Sequence, residues 1–302
     1  MQSVWLIAQL LFCLAFGFLA AKHIPHTIEK FAFKILPYFS YLLLFSIAFE
    51  FAQVLDTITH PSKIITNALI LSITTTLGSF FCCYFLLKRV GIQATQGKVS
   101  TDLFFKSLVH IAYASFILIL GYCSALMTQH FNVNMHLNSW YLLLLFMLLI
   151  GLDLAHSPID RSWINWKILI VPSGAIIGSI LGAMISYVLV HDINLKDLFM
   201  LSQGYGFYSM TGIVVTELKN PELGSIALMN DLFREIFAIL LMYLIGWRQP
   251  RSAIAAAGAT SMDATLPMVK QACGNAFIPH AMVSGFILSI LAPIAVSVLA
   301  AI

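Results

Sequence analysis

The sequence predicts an all-α polytopic membrane protein, one integral membrane domain over residues 1–302, with eight full spanning helices and two broken, re-entrant segments. Three observations predict it. Hydrophobic residues make up 60% of the 302-residue chain and charged residues 10%, where a soluble domain carries about 25% charged residues. So few charges cannot cover a water-exposed globule. The apolar residues fall into ten runs near the ~20 residues that cross a hydrocarbon core. Two of these runs carry the glycines and proline that interrupt helices.

In order, the runs are 3–21, 31–52, 64–87, 107–127, 139–155, 167–190, 197–217, 222–247, 252–270 and 278–300. The first has no basic region before it and reads as a retained membrane helix rather than a cleaved leader. Runs one to six read as ordinary spans. The seventh carries Gly204, Gly206 and Gly212, and the ninth carries Gly258 and Pro267 around Thr260 and Ser261. Both read as helices broken at mid-depth. In run eight, Asn220 is a good cap and Pro221 suits the first helical position. The chain divides into an N-terminal half, 1–155, and a C-terminal half, 160–302. An alternative is ten spans as a 5+5 inverted repeat, but no Gly/Pro-broken run in the first half matches run seven or nine.

Lysine and arginine set the orientation, because cytoplasmic loops collect them. Loop one holds Lys22, Lys30 and Lys34, loop three holds Lys88, Arg89, Lys98 and Lys106, and loop five holds Arg161 and Lys167. Loop two holds only Lys63, and loop four holds none. Odd loops therefore face the cytoplasm and both termini face outward. Re-entrant hairpins at runs seven and nine also place Arg248 and Arg251 on the cytoplasmic side.

Several function classes drop out. Nucleic-acid binding needs a clustered basic patch, and none is present. Cys13, Cys82, Cys83, Cys123 and Cys273 match no zinc spacing or disulfide framework, and read as small apolar residues. Neither a metal nor a cofactor is expected. An intramembrane aspartyl protease needs Gly-x-Gly-Asp, which "GLD" at 151–153 lacks, and a serine enzyme lacks a midplane His. The chain is not expected to be an enzyme. "GYG" at 204–206 lacks the Thr-Val that precedes it in a potassium filter.

The ionisable groups inside the apolar runs carry the chemistry. At about 1.5 Å per residue, Asp231 lies roughly 15 Å and Glu235 roughly 21 Å beyond Pro221. Counted from Ser252, Asp263 of "AAAGATSMDATLPM" lies about 16 Å deep. Asp231, Arg234 and Glu235 share one side of a helix, with Asn230 beside them. If Arg234 pairs with Asp231, then Glu235 and Asp263 lack a cation. A buried carboxylate of this kind takes a proton or meets a cationic ligand. That alternation is what a proton-coupled cation transporter requires. Ser209, Thr211, Thr260 and Ser261 offer further oxygens, and a half-helix N-terminus suits an amino-acid carboxylate. Glu217 stands between a functional and an interfacial reading. Glu50 and Asp153, near run ends, read as snorkelling to water, and His110 and His280 as interfacial.

The stretches "GYGFYSMTGIVVTE" (204–217), "GSIALMNDLFREIFAIL" (224–240), "GATSMDATLPMV" (258–269) and "GFILSILAPI" (285–294) resemble the LysO family of bacterial lysine exporters, in the family's order. They cover most of residues 200–300; the first half shares only hydropathy and loop placement. The resemblance implies an inner-membrane exporter of L-lysine and its toxic analogue thialysine, with periplasmic termini. It also implies that two intramembrane acids are needed for export, which fall on Glu235 in "NDLFRE" and Asp263 in "TSMD". Arginine or another basic amino acid stays open as substrate, and protons are expected as the coupling ion ahead of Na+. An inorganic cation antiporter using the same acids is the alternative.

Overall fold

The computed structural model describes residues 2–54, 61–88, 101–131, 138–156 and 166–301. Arg89, Lys98 and Arg161 of the orientation argument lie outside these residues, as do the side chains of Lys22, Lys30, Lys106 and His110. Helices α1 (Gln2–Ala20), α2 (His26–Val54), α3 (Pro61–Lys88), α4 (Thr101–His130), α5 (Ser139–Ala155) and α6 (Trp166–Leu189) form the first six predicted runs, and no strand occurs among the described residues. Five stretches are long and apolar enough to cross a membrane: Lys34–Gln53, Ser62–Lys88, Ala112–His130, Trp166–Leu189 and Asn275–Ala301. The apolar stretches Trp5–Ala20 and Ser139–Ala155 are shorter. The protein is an all-α, multi-pass membrane protein. Phe12, Phe85, Phe116 and Val188 point outward from it, as lipid-facing side chains do.

Small residues let the helices approach closely, the packing device that works where lipid removes the hydrophobic drive between helices. Gly174, Gly178 and Gly182 recur every fourth residue, so they share one face of α6. That face lies against α3 with no room for a Cβ: Gly174 meets Cys83, Gly178 meets Gly78 and Ser79, and Gly182 meets Thr74 and Thr75. The pairing runs antiparallel, and the Thr74 and Ser186 hydroxyls close it at 2.6 Å. In the same manner Gly17 of α1 sits on Leu148 of α5, and Gly121 of α4 sits on Phe45 of α2.

The second half is where the chain breaks. Helices α7 (Leu195–Ser202) and α8 (Tyr208–Leu218) flank a non-helical link, followed by α9 (Pro221–Ile245) and α10 (Pro250–Ala257). After α10 come a 3-10 turn (Gly258–Met262), the single turn α11 (Leu266–Met268), a π turn (Val269–Cys273), a short 3-10 turn and α12 (Ile278–Ala301). Asn220 caps α9 as expected, accepting from the Leu223 N–H at 2.8 Å, with Pro221 in the first turn.

Each broken segment folds back on itself. Asp197, in the first turn of α7, reaches Lys219, just past the end of α8, at 3.6 Å. The Cys273 thiol lies 4.0 Å from the Pro250 carbonyl at the start of α10. The eight residues of α10 are about 12 Å long and the eleven of α8 about 16 Å, roughly half a ~30 Å hydrocarbon core. Helix α9 runs between the two hairpin bases, since Asn220 adjoins the first and Gln249 the second. The hairpins therefore enter from opposite ends of α9, and their tips meet beside its middle, where the Ala259 N–H donates to the Tyr205 carbonyl at 2.9 Å. One expectation needs correcting. Gly212 does not break the segment: it sits inside α8, where its missing side chain lets α8 lie against Leu228 of α9.

Candidate functional site

The meeting of the tips is built by unusual backbone. Tyr205 has φ 52°, Gly206 φ 88° and Gly258 φ 67°. A Cβ on Gly258 would run into the Tyr205 carbonyl oxygen, so only glycine allows this crossing. Gly204 has the same role toward α9: a Cβ there would overlap the Asp231 carboxylate and the Thr211 hydroxyl.

Asp231 and Arg234, fully buried at the centre of α9, each hold one tip. Asp231 Oδ1 accepts from the Gly206 N–H and from the Asn230 side-chain amide, both at 3.1 Å. That Asn230 amide also donates to the Leu201 carbonyl at 3.3 Å. Arg234 donates through Nε to the Ala256 carbonyl at 3.2 Å, through Nη1 to Ser179 at 2.9 Å and through Nη2 to Ser79 at 3.0 Å. Its guanidinium carbon lies 5.8 Å from the Tyr205 ring centre.

The expected Asp231–Arg234 hydrogen-bonded pair is therefore not what forms. The acid faces the amide end just before α8, and the cation faces the carbonyl end of α10. Each complements a half-helix dipole of matching need, while their mutual attraction acts only at longer range. Ser79 and Ser179 were invisible as partners in the sequence, because nothing in a helix's own spacing shows what a neighbouring helix brings to it.

Arg234→Lys is expected to fail as a replacement, since one ammonium cannot span three acceptors on α3, α6 and α10. Losing charge-assisted hydrogen bonds at about 1.5–3 kcal/mol each lowers thermal stability in detergent. A wild-type melting temperature for Arg234→Lys would contradict this assignment.

Beside the tips lies a cavity of about 470 Å³. The hairpins contribute Gly206, Phe207, Tyr208, Ser209, Thr260, Met262, Asp263 and Pro267 to its wall. Helix α2 adds Ser40 and Tyr41, α5 adds Phe146, Ile150 and Asp153, and α12 adds Ser289. Among the described residues, no lysine or arginine lines the cavity. Asp263 is open to the cavity, and the amide of the next residue, Ala264, is the hydrogen-bond donor to its carboxylate. The broken backbone thus places this acid where water and ligand reach it, instead of burying it among apolar side chains.

The other expected residues divide. Ser209 and Thr260 line the cavity. The Thr211 hydroxyl donates to the Phe207 carbonyl at 2.9 Å, and the Ser261 hydroxyl meets the Gly258 and Ala281 carbonyls at 2.7 and 3.0 Å. The first bond lies within the first turn of α8 and the others tie the 3-10 turn to itself and to α12, so neither hydroxyl lines the cavity. Glu235 is buried and does not line the cavity, although it lies within electrostatic reach of Asp263 and Tyr208. Glu217 falls near the base of the first hairpin, beside Lys219, away from the tips. Glu50 accepts from the Ser139 N–H at 2.8 Å, a structural contact at the start of α5. His280 is buried within the protein and accepts from Arg251 Nε at 2.9 Å. Asp153, expected to reach water at a helix end, lines the cavity instead. Among the described residues no cluster of three His, Cys, Asp or Glu is placed to hold a metal ion.

The family model described as lysine exporter LysO matches residues 115–300, which include both hairpins, α9 and part of the cavity wall. The chain belongs to the LysO family. Among the curated relatives of this LysO-family chain, the lysine exporter LysO of Escherichia coli is 33% identical over 183 residues. That match spans 60% of this chain and 61% of the relative, so less than two thirds of the relative's length is covered. A Haemophilus influenzae protein, provisionally named a lysine exporter, is 29% identical over 160 residues, 51% of this chain and 80% of its own. No solved structure matches.

Proposed function

We propose that the protein exports L-lysine, or another basic amino acid, across the bacterial inner membrane in exchange for protons, as a transporter and not an enzyme. The observation that carries this reading is Asp263, held at the tip of a broken segment and facing a cavity whose described wall has acids and no basic side chain. Family membership points the same way.

In this reading α1 to α6, α9 and α12 are eight spans, and the α7–α8 and 250–273 segments are re-entrant hairpins from opposite faces. Both termini are periplasmic. The first hairpin, with Asp197 and Lys219 at its base, enters from outside; the second, with Arg251 at its base, enters from the cytoplasm. The cavity is the substrate chamber. Lysine leaving the cell carries its charge against an inside-negative potential at about 2.3 kcal/mol per 100 mV, so an inward proton is the natural driver. Ionised Asp263 takes a substrate ammonium, with buried Glu235 behind it adding negative potential. The backbone N–H groups of Tyr208 and Ser209, at the cavity-lining start of α8, suit the substrate carboxylate. After the switch to the outward-facing state, protonation of the acids releases the cation. A proton needs only a carboxylate, whereas Na+ needs several fixed oxygens, and Thr211 and Ser261 do not line the cavity.

The test is lysine-driven proton movement in proteoliposomes, read with a pH dye in sodium-free buffer. The dye is expected to respond on lysine addition. Lysine transport that requires sodium and leaves the dye silent would contradict proton exchange.

A further inference from the structure

We propose that Asp153 is a second substrate-contacting carboxylate, which with Asp263 makes the cavity a receptacle for a molecule with two amino groups and so selects basic over neutral amino acids. This deepens the export reading above and rests on it.

Asp153 lies in the last turn of α5. A carboxylate is electrostatically misplaced there, because the exposed carbonyls of a helix end favour cations. Its placement is thus not a device for helix stability. It lines the same cavity as Asp263 and lies within that residue's electrostatic reach. The two acids come from different elements, α5 and the second hairpin, so the space between them is a chamber and not a local turn.

What lines that chamber also points to a ligand. Ser209, Tyr208 and Ser289 are buried to more than nine-tenths and line the cavity. Among the described residues their side-chain hydroxyls have no hydrogen-bond partner. These hydroxyls open onto the cavity rather than into packed protein, where a bound polar molecule would supply the partner that the protein does not. Aromatic rings of Tyr41, Phe146 and Phe207 complete the wall, suiting a methylene chain and the flank of an ammonium. Two anionic points and aromatic rings in one wall suit an amine at each end of an aliphatic chain.

Asp153 also has His156 nearby, so a role confined to an Asp153–His156 contact must be told apart from substrate binding. The experiment is counterflow of labelled lysine in proteoliposomes, with unlabelled lysine and Nε-acetyl-lysine as competitors. Acetylation removes one positive charge and leaves the rest of the molecule. Wild type is expected to prefer lysine. Asp153→Asn is expected to raise the KM for lysine roughly tenfold, the scale of one charged hydrogen bond, while competition by Nε-acetyl-lysine changes little. Preference for lysine thus collapses. His156→Gln is expected to leave both values unchanged. An unchanged lysine preference in Asp153→Asn, or the same loss in His156→Gln, overturns the proposal. If Asp153→Asn does not assemble, Asp153→Glu decides: moving the charge by one methylene alters the lysine to Nε-acetyl-lysine ratio several-fold, and an unaltered ratio overturns the proposal. Failure of wild type to exchange lysine at all would instead defeat the export reading, before Asp153 is tested.

Discussion

Asp263→Asn is expected to abolish export while the protein still inserts and folds. The change is isosteric, and the carboxylate's own hydrogen bond comes from the adjacent Ala264 amide, so little of the fold depends on the charge. The ligand does depend on it: removing one partner of a desolvated charge pair costs about 2–5 kcal/mol, which predicts a fall in transport of at least ~30-fold. Glu235→Gln is expected to have a comparable effect by a different route. That side chain is buried outside the cavity wall, so it changes the field around Asp263 and the proton count without touching the ligand. Labelled-lysine transport normalised to inserted protein checks both. Wild-type rates in either variant would remove that acid from the mechanism.

Gly258→Ala is expected to be strongly damaging for a single added methyl. The residue sits at φ 67°, where a Cβ costs about 1–2 kcal/mol, and the added carbon would collide with the Tyr205 carbonyl. That same carbonyl accepts the Ala259 N–H at 2.9 Å, so the hydrogen bond joining the two tips is lost along with the backbone geometry. A total of roughly 3 kcal/mol, at about 2–4 °C per kcal/mol for a chain of this order of size, predicts a fall in melting temperature near 10 °C and no transport. Gly212→Ala is the contrast. Its Cβ would meet the Leu228 Cβ at 3.1 Å, inside a regular helix with no positive φ, and a smaller loss is expected. Thermal melts of the purified variants check the order; equal stability of Gly258→Ala and wild type would contradict the tight crossing.

These effects trace to features of unequal visibility in the sequence. Depth counting along run eight and from Ser252 singled out Glu235 and Asp263, because a charge in an apolar run is conspicuous whatever surrounds it, but it could not tell that only Asp263 lines the cavity. Gly206 and Gly258 marked the breaks because positive-φ backbone at a hairpin tip selects glycine, and Gly204 because Asp231 and Thr211 leave no room there for a Cβ. Gly212 was misread for the same reason, since a glycine needed for helix contact looks no different in sequence. The i, i+3 spacing of Asp231 and Arg234 suggested a pair, yet spacing reports only one helix. The two hairpin tips and the hydroxyls of Ser79 and Ser179 outbid that contact. The Gly174–Gly178–Gly182 face did not figure in the sequence reading, since its spacing shows nothing of the helix that packs on it. Asp153 was discounted because distance from a helix end says nothing of where a cavity reaches.

The central claim is that the chamber beside the crossed hairpins carries lysine outward against protons, with Asp263 as the contact. It is tested most directly by uptake of labelled lysine, with arginine for comparison, into inside-out vesicles under an imposed gradient with an acid lumen, in sodium-free buffer. The account predicts that lysine accumulates, that collapsing the gradient stops it, and that vesicles carrying Asp263→Asn show only the background of vesicles without the protein. Uptake that ignores the gradient, or that persists in Asp263→Asn, would contradict it.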